Sequence, residues 1–401
     1  MKTNAIIFAP DDQGLIPIFG MPTVRRLVRL LHRVGVGQIH VFGRTSPLQP
    51  VLADLLPSSA FHPTEDLEKV RDQLVQLGVA EEESVLVLMA NTVVDRRALS
   101  SFIDEAPSST PLASAARNAG AGEALWQGRV AELATHLSAA SSWQSASPDS
   151  VPRPHAPPET GLPCLIESGR GSIANAEQHL LDSLALQSPD DGFFARYFDR
   201  RISRPISSKL ARTAVTPNQV TLGGVSIGLA GAWLLSQAGY WQHLAGALLF
   251  LICIVVDGVD GEVARLKLME STFGHYLDVT TDNLVHFAVF VGLAFGLYRQ
   301  TGQLLYLHAL GWLLGGFVLC IVAVYYCILR RSPEEMERSP KIVRLLALLS
   351  NRDFAYLIFV LAVIDRLGWF LLGAAAGTFI FAAVLWTLTR FESRATVARV
   401  P

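Results

Sequence analysis

Residues 254–288, IVVDGVDGEVARLKLMESTFGHYLDVTTDNLVHFA, decide the fold of this chain. They join the end of one long apolar run to the start of another. Asp257 and Asp260 are three residues apart in this stretch. Asp278 and Asp282 are four apart, so each pair lies on one face of a helix. Because ionisable side chains at the edge of an apolar helix are costly and usually functional, the stretch predicts membrane helices that bring acids together.

The residue types in this stretch indicate a hard metal ion. Four converging carboxylates repel one another unless cations neutralise them, and no His or Cys stands among the four. Oxygen ligands alone favour Mg²⁺, with Mn²⁺ or Ca²⁺ as substitutes, and such ions suit a diphosphate substrate. Gly258, Gly261 and Gly274 leave room for a ligand or a neighbouring helix. The alternative interpretation is two pairs of surface acids that cap helix ends.

The composition of the whole chain is that of a membrane protein with a soluble part. Its 401 residues include 33 Lys and Arg against 35 Asp and Glu, and the net charge of −2 gives no support for a nucleic-acid binder. Charged residues make up 17% of the chain, against about 25% in soluble proteins. Three of the four cysteines lie in apolar runs, so a secreted disulfide framework is not expected.

Six membrane-spanning helices are predicted in a membrane domain at residues 214–395. The predicted spans are about 216–237, 241–264, 274–298, 303–329, 353–371 and 372–391, each near the ~20 residues that a bilayer requires. Only the short turn Asp365–Gly368 is expected to separate the last two. Almost all of the Lys and Arg that flank these spans lie on one side, and the opposite loops contain Arg299 and Arg366. The positive-inside rule therefore predicts a multi-pass inner-membrane or cell-membrane protein with its active site and N-terminal domain facing the cytoplasm.

The N-terminal part, residues 1–187, is predicted to be an α/β domain with a mainly parallel sheet. Strands are predicted at 4–9, 38–42, 84–89 and 163–167, and helices at 23–34, from about 95, and at 172–186. Residues 138–163 are rich in Ser, Ala and Pro and are expected to be a disordered insertion. Residues 188–213 mix aromatic residues with arginines, which predicts an amphipathic helix at the membrane surface. The alternative is a charged soluble helix.

The acidic stretch resembles the signature of the CDP-alcohol phosphotransferases, also called CDP-alcohol phosphatidyltransferases. Every defining position of that signature is present: Asp257, Asp260, Gly261, Ala264, Arg265, Gly274, Asp278 and Asp282. The segment Thr216–Thr221, TPNQVT, is also typical of the family. The resemblance implies an integral membrane enzyme of six helices, a homodimer, whose site opens at the cytoplasmic interface.

The resemblance also implies roles for individual residues. Asp257, Asp260 and Asp278 would bind two Mg²⁺ ions, or Mn²⁺, that hold the diphosphate of a CDP-linked donor. Asp282 would contact one ion and act as general base on the acceptor hydroxyl, which attacks the phosphorus distal to cytidine and releases CMP. The residues that would position the nucleotide are Asn218, Gly261, Ala264, Arg265 and Gly274.

The substrates stay open at this point. The donor is either CDP-diacylglycerol or a soluble CDP-alcohol, and the acceptor is an alcohol or an alcohol phosphate, in phospholipid or polar-lipid synthesis. Lys341, Arg344 and Arg352 are candidates to bind an acceptor phosphate, although ordinary positive-inside charge also explains them. Two other functions compete: a metal-dependent membrane prenyltransferase, and a non-enzymatic membrane protein that binds or transports cations.

Residues 4–44 resemble the opening of sugar-nucleotide-type nucleotidyltransferases. Such a domain is fused to a CDP-alcohol phosphotransferase in the inositol-phosphate cytidylyltransferase / di-inositol-phosphate-phosphate synthase family. The resemblance implies a Gly-rich loop with Arg and Lys, but Ala9–Pro22 contains two aspartates and neither Arg nor Lys. Asn91 stands where the family has a metal-binding Asp, and Asp95 comes four residues late. Because acids repel a triphosphate, we expect an inactive domain that serves scaffolding, dimerisation or ligand sensing.

Overall fold

The structure is a computed structural model of the chain. It describes residues 3–63, 67–80, 82–105, 112–115, 123–130, 164–166, 169–186, 198–326 and 353–397. The predicted insertion at 138–163 lies outside these residues. The chain divides into two compact units. The first contains residues 1–188 with the short segments 211–213 and 265–268, and the second contains residues 189–210, 214–264 and 269–401.

A six-stranded sheet forms the centre of the first unit. Its strands are β1 (Asn4–Ala9), β2 (Ile39–Gly43), β3 (Phe61–His62), β4 (Ser84–Met89), β5 (Leu112–Ala115) and β6 (Glu123–Arg129). They lie in the order β3-β2-β1-β4-β6-β5, with parallel pairing from β3 to β4 and antiparallel pairing of β6 with both β4 and β5. β1 and β4 are apolar and buried along almost their whole length, as expected for parallel strands that are covered on both faces. The predicted α/β class is confirmed.

The longer helices among the described residues of this unit are α1 (Thr23–Arg33), α2 (Leu67–Gln76), α3 (Arg96–Glu105) and α4 (Arg170–Leu186), and a one-turn helix spans Gln49–Leu52. The apolar positions predicted to share one face of α1 are all buried in the core that contains β1 and β2; they are Val24, Leu27, Val28 and Leu31. The strand predicted at 163–167 is shorter, Cys164–Leu165, and pairs antiparallel with Thr92–Val93. A second two-stranded ribbon pairs Pro17–Ile18 with Met21–Pro22.

Two arginines of α1 hold the segment 265–268 within the first unit. The Arg26 guanidinium is 7% exposed and donates a hydrogen bond to the carbonyl oxygen of Leu266. Arg33 donates to the carbonyl oxygen of Leu268 at 2.9 Å. Leu268 has a φ of +50°, a left-handed conformation that a leucine adopts only where its surroundings enforce it. Burial, with a smaller effect of the charge on Arg33, lowers the pKa of Arg26 to about 10, so Arg26 remains charged at neutral pH.

The second unit is helical. Its helices are α5 (Arg200–Ala211), α6 (Pro217–Leu235), α7 (Tyr240–Leu266), α8 (Thr272–Thr301), α9 (Leu305–Val324), α10 (Phe354–Val363) and α11 (Leu367–Val397). Among the residues that the structure describes, four stretches are long and apolar enough to cross a membrane: α7, α8, α9 and residues Leu367–Arg390 of α11. The second unit therefore makes the chain an integral membrane protein, and the predicted helical class is confirmed.

The prediction of six spans is confirmed only in part. α6 to α9 lie near the first four predicted spans, but α6 is not among the four long apolar stretches. The turn predicted between the last two spans is found at Ile364–Arg366, where Asp365 has a φ of +54°. The bounds predicted for these spans, 353–371 and 372–391, therefore meet too late along the chain. α10 consequently has ten residues and is about 15 Å long, half of the ~30 Å hydrocarbon core.

Glycines on α8 let its backbone approach α6 closely. A Cβ on Gly292 would lie 2.3 Å from the carbonyl oxygen of Ala232, and one on Gly296 would lie 1.9 Å from that of Leu235. No side chain fits at either position, so the two helices pack backbone to backbone, as small residues allow in membrane bundles. The same two helices also meet near their starts, where a Cβ on Gly274 of α8 would lie 3.3 Å from Asn218 Oδ1 of α6.

Candidate active site

The carboxylates of three aspartates converge where α7 ends and α8 begins. One oxygen each of Asp257, Asp260 and Asp278 lies within 4.8 Å of the other two. Asp260 is 5% exposed, and Asp257 and Asp278 are half-buried. Within the part of the chain that the structure describes, Asp278 Oδ1 is buried without a hydrogen-bond partner, the condition expected of an oxygen that ligates a cation. The three aspartates can therefore hold a divalent metal ion.

Thr221 on α6 supports this group from one side. Its buried hydroxyl donates a hydrogen bond to Oδ2 of Asp260 and lies 3.2 Å from the carbonyl oxygen of Pro217. A hydrogen bond to a carboxylate that can bind a metal ion fixes the orientation of that carboxylate. Thr221 belongs to the TPNQVT segment, which is the signal in the sequence that points to it, although no role was predicted for its side chain.

Asp282 is one turn after Asp278 on α8 and is not in the group of three. Its Oδ1 lies 3.7 Å from Nδ1 of His286, which is a further turn along the same helix. The His286 ring contacts Phe250 and Phe354, with ring centroids 5.7 and 5.3 Å away. The spacing of four residues between the two side chains is the local signal for this pair.

The predicted nucleotide-binding residues begin with Asn218 and Gly274. A Cβ on Gly274 would lie 3.3 Å from Asn218 Oδ1, so the first turns of α6 and α8 meet at these two residues. The backbone N–H of Thr216 donates to Gln219 Oε1 at 3.0 Å at the start of α6. Ser271 accepts a hydrogen bond from the Gly274 N–H at 3.0 Å at the start of α8. These caps set the positions of both helix starts.

Three of the other predicted site residues, Gly261, Ala264 and Arg265, lie on α7. Gly261 follows Asp260 on α7, and Ala264 is seven residues after Asp257, hence on the same helical face. Arg265 is the next residue of α7 and is counted with the first unit. The candidates for the acceptor phosphate lie outside the described residues; they are Lys341, Arg344 and Arg352.

The first unit has a second candidate site, the loop before α1 where the resemblance implies a triphosphate. Asn91 Nδ2 donates to Gln13 Oε1 and to the carbonyl oxygen of Ile166, both at 2.8 Å. Gly14 packs so tightly on the chain after β4 that a Cβ would lie 2.9 Å from Cβ of Ala90. The loop is thus folded onto the strand end, and Asn91 Nδ2 is used within the protein. Asn91 Oδ1 is buried without a hydrogen-bond partner among the described residues.

Asp95, the acid that comes late after β4, also has a structural role. Its Oδ1 accepts hydrogen bonds from the backbone N–H groups of Arg97, at 2.8 Å, and Ala98, at 3.0 Å. This is the arrangement of an N-cap residue, here at the start of α3. The carboxylate therefore completes a helix end.

Comparisons with known proteins agree with the acidic signature. Residues 214–388 match the family model described as CDP-alcohol phosphatidyltransferase. A relative from Aquifex aeolicus, named bifunctional IPC transferase and DIPP synthase, is 32% identical over 141 residues, which are 33% of this chain and 32% of that protein. The phosphatidylinositol phosphate synthase of Mycobacterium bovis is 37% identical over 101 residues, 25% of this chain and 46% of that protein.

This chain thus spans about a third of the first relative's length and less than half of the second's. Among solved structures, 4-diphosphocytidyl-2C-methyl-D-erythritol synthase is similar at 12% identity, with 45% of this chain and 100% of that chain covered and a TM-score of 0.35.

Proposed function

We propose that this chain, whose residues 214–388 form a CDP-alcohol phosphatidyltransferase domain, moves a phosphatidyl or phospho-alcohol group from a CDP-linked donor to an acceptor hydroxyl and releases CMP. The observation that carries the proposal is the convergence of Asp257, Asp260 and Asp278 inside the residues that match the family. The relatives are synthases and transferases by name, which supports a place in phospholipid or polar-lipid synthesis.

The three converging aspartates would hold Mg²⁺ or Mn²⁺, as two ions, and these would neutralise the donor diphosphate and stabilise CMP as it leaves. The hydroxyl of Thr221 keeps the Asp260 carboxylate in place for this task. Asp282, one turn farther along α8 and 3.7 Å from His286, would accept the proton of the acceptor hydroxyl. The face of α7 with Gly261 and Ala264 presents little side-chain bulk, which suits a bound cytidine.

Two donor classes remain to be separated: CDP-diacylglycerol, and soluble CDP-alcohols such as CDP-inositol and CDP-glycerol. The name of the mycobacterial relative contains an inositol phosphate, so inositol phosphate is the acceptor to test first. Glycerol phosphate and serine are the natural comparison acceptors, because they differ from inositol phosphate in shape and charge.

The test is to incubate the purified full-length protein with each donor and acceptor in MgCl₂ or MnCl₂ and to follow CMP. We expect CMP release that requires donor, acceptor and metal together, and that stops when EDTA is added. Release of diphosphate from a prenyl donor without CMP would favour the prenyltransferase function instead. Cation uptake by proteoliposomes that needs no cytidine compound would favour a transporter.

The first unit, in our proposal, does not transfer nucleotides. The support is local: the Asn91 amide is bonded to Gln13, Asp95 caps α3, and the loop before α1 contains no Lys or Arg to hold a triphosphate. The contacts of Arg26 and Arg33 with residues 265–268 instead support a scaffolding role for this unit. We expect no diphosphate release from CTP and inositol phosphate under conditions where CMP release is readily measured.

The membrane orientation is also proposed from the charges. The predicted amphipathic segment contains α5 and the residues just before it, and its exposed apolar side chains recur at intervals of four residues: Phe198, Ile202 and Ile206. Such a stripe beside arginines suits the cytoplasmic membrane surface. A tag at each terminus should be accessible in inside-out vesicles and protected in right-side-out vesicles. The proposed homodimer has a separate test, because cross-linking should give a species of twice the mass of the chain.

A further inference from the structure

Glu262 is a buried charge beside the candidate active site. It lies on α7, two residues after Asp260, and it is 0% exposed. It is not one of the signature positions. A carboxylate removed from water is stable only where charged and polar groups replace its hydration, so its partners are informative.

Among the described residues, the hydrogen-bond partners of Glu262 lie on one helix, α5. Arg200 Nη1 donates to Oε1 at 2.6 Å, and the Ser203 hydroxyl donates to the same oxygen at 2.8 Å. The Ser207 hydroxyl donates to Oε2 at 2.6 Å. The three donors are three and four residues apart, which puts them on one face of α5. Both carboxylate oxygens are thus bonded to a single helix face.

The position of Glu262 on α7 relates this contact to the three converging aspartates. Residues two apart on an α-helix point about 200° apart, so Glu262 and Asp260 face nearly opposite directions. Asp260 receives its hydrogen bond from Thr221 on α6, whereas Glu262 receives three from α5. The last turns of α7 are therefore fixed from both sides, and a rotation or a shift of this end would strain one set of bonds or the other.

We propose that Glu262, with Arg200, Ser203 and Ser207, is a positioning network that sets the rotation and height of the end of α7. The network thereby sets the distance of Asp257 and Asp260 from Asp278. Through that distance it sets the affinity of the three aspartates for a divalent cation. This inference rests on the proposed function, because it assumes that the three aspartates bind a metal ion. It concerns the geometry of the site, since none of the four side chains belongs to the group of three that would touch the ion.

The test measures binding of Mn²⁺ alone to the detergent-purified full-length protein, by the loss of the electron paramagnetic resonance signal of free Mn²⁺. Arg200→Gln leaves a buried carboxylate without its cation and should raise the Mn²⁺ dissociation constant by about tenfold, the effect of losing an outer-shell partner. Glu262→Gln keeps a side-chain amide that can hydrogen-bond to the two serines, so it should raise the Mn²⁺ dissociation constant less than Arg200→Gln does. The double variant should bind Mn²⁺ more tightly than Arg200→Gln, because it contains no unpaired buried charge.

Arg201→Gln is the matched control, since it removes the same charge from an exposed neighbouring position of α5 and should leave Mn²⁺ binding unchanged. If Arg200→Gln does not fold, Ser207→Ala replaces it and should weaken Mn²⁺ binding by a few fold, about the effect of one hydrogen bond. Wild-type affinity in folded Arg200→Gln, or in Ser207→Ala, overturns the inference. Failure of the wild-type protein to bind Mn²⁺ contradicts the proposed metal site itself, and the two failures are thus distinguishable.

Discussion

The end of α7 with the start of α8, and the residues after β4, are both places where a resemblance implies metal-binding aspartate, but their polar groups are used differently. At the acidic end, three carboxylates converge, and Asp278 Oδ1 is buried without a hydrogen-bond partner among the described residues. After β4, Asn91 Nδ2 bonds to Gln13 and to Ile166, and Asp95 completes a helix. The buried oxygen without a partner there, among the described residues, is that of a neutral amide, Asn91 Oδ1. A binding site for a charged ligand needs polar or charged groups that are not already bonded to other parts of the protein.

This difference explains why counting acids does not locate a site. Asp95 has the residue type of a metal ligand, and its place after a strand is nearly that of one, yet two backbone N–H groups occupy its oxygen. Asp260 also accepts a hydrogen bond, from Thr221, but it stands beside two other carboxylates that need a cation. Convergence of several carboxylates therefore indicates metal binding more strongly than the presence of any one acid.

The largest expected effect is at Asp282. Asp282→Asn removes the proposed base and should lower CMP release by about a thousandfold, within the range for a general base, while binding of the CDP-linked donor largely survives. CMP release and donor binding are measured separately on the same preparation. The control is Asp365→Asn, the same change in the turn before α11, where Asn also adopts the positive φ. A normal rate in Asp282→Asn would exclude this residue as the base.

Thr221→Val comes next, because it removes the hydrogen bond to Asp260 and keeps the shape of the side chain. The Mn²⁺ concentration for half-maximal CMP release should rise by about tenfold. Thr387→Val is the matched control, since that hydroxyl bonds to the carbonyl oxygen of Val384 within its own helix. If the Mn²⁺ concentration for half-maximal CMP release were the same in the two variants, Thr221 would not support the three aspartates.

Asn91→Ala tests the other half of the comparison. It removes two hydrogen bonds within the first unit and should lower the free energy of unfolding by about 1–2 kcal/mol, seen as a lower thermal midpoint. CMP release at a temperature where the protein is folded should not change. A variant with wild-type stability and altered CMP release would mean that the loop after β4 takes part in the reaction, and the contrast between the two regions would fail.

Elements with a local pattern could be predicted from the sequence alone. The strands at 4–9 and 84–89 are found with the predicted bounds, and the helix predicted at 23–34 is one residue shorter, at Thr23–Arg33. The spacing of the aspartates is local too, because a helical face is determined within two turns. The turn near Asp365 and Arg366 was predicted from those residues, but the span bounds were set by the expected length of ~20 residues, which placed their boundary too late, at 371/372.

The groups that support the candidate site could not be predicted in this way. Glu262 depends on Arg200, which is 62 positions away in sequence, and Asp260 depends on Thr221, which is 39 away. No periodicity relates such pairs, because their contact arises only when separate helices pack. His286 lies only four residues from Asp282, so its pairing was available from spacing, but an apolar helix face explains a histidine equally well.

The smallest expected effect is a pH dependence of the first unit. His40 Nδ1 lies 3.2 Å from His62 Nε2 across β2 and β3. Burial lowers the pKa of His40 from its usual value near 6.5, the charge on His62 lowers it further, and burial also lowers the pKa of His62. Since these pKa values lie below those in the unfolded chain, the unfolded state binds more protons in this range, and stability falls as pH drops below about 6.5. The thermal midpoint of the first unit should fall between about pH 7 and pH 5, and His62→Gln should reduce that fall while leaving the midpoint at pH 8 nearly unchanged. An equally steep fall in His62→Gln would assign the acid sensitivity to other groups.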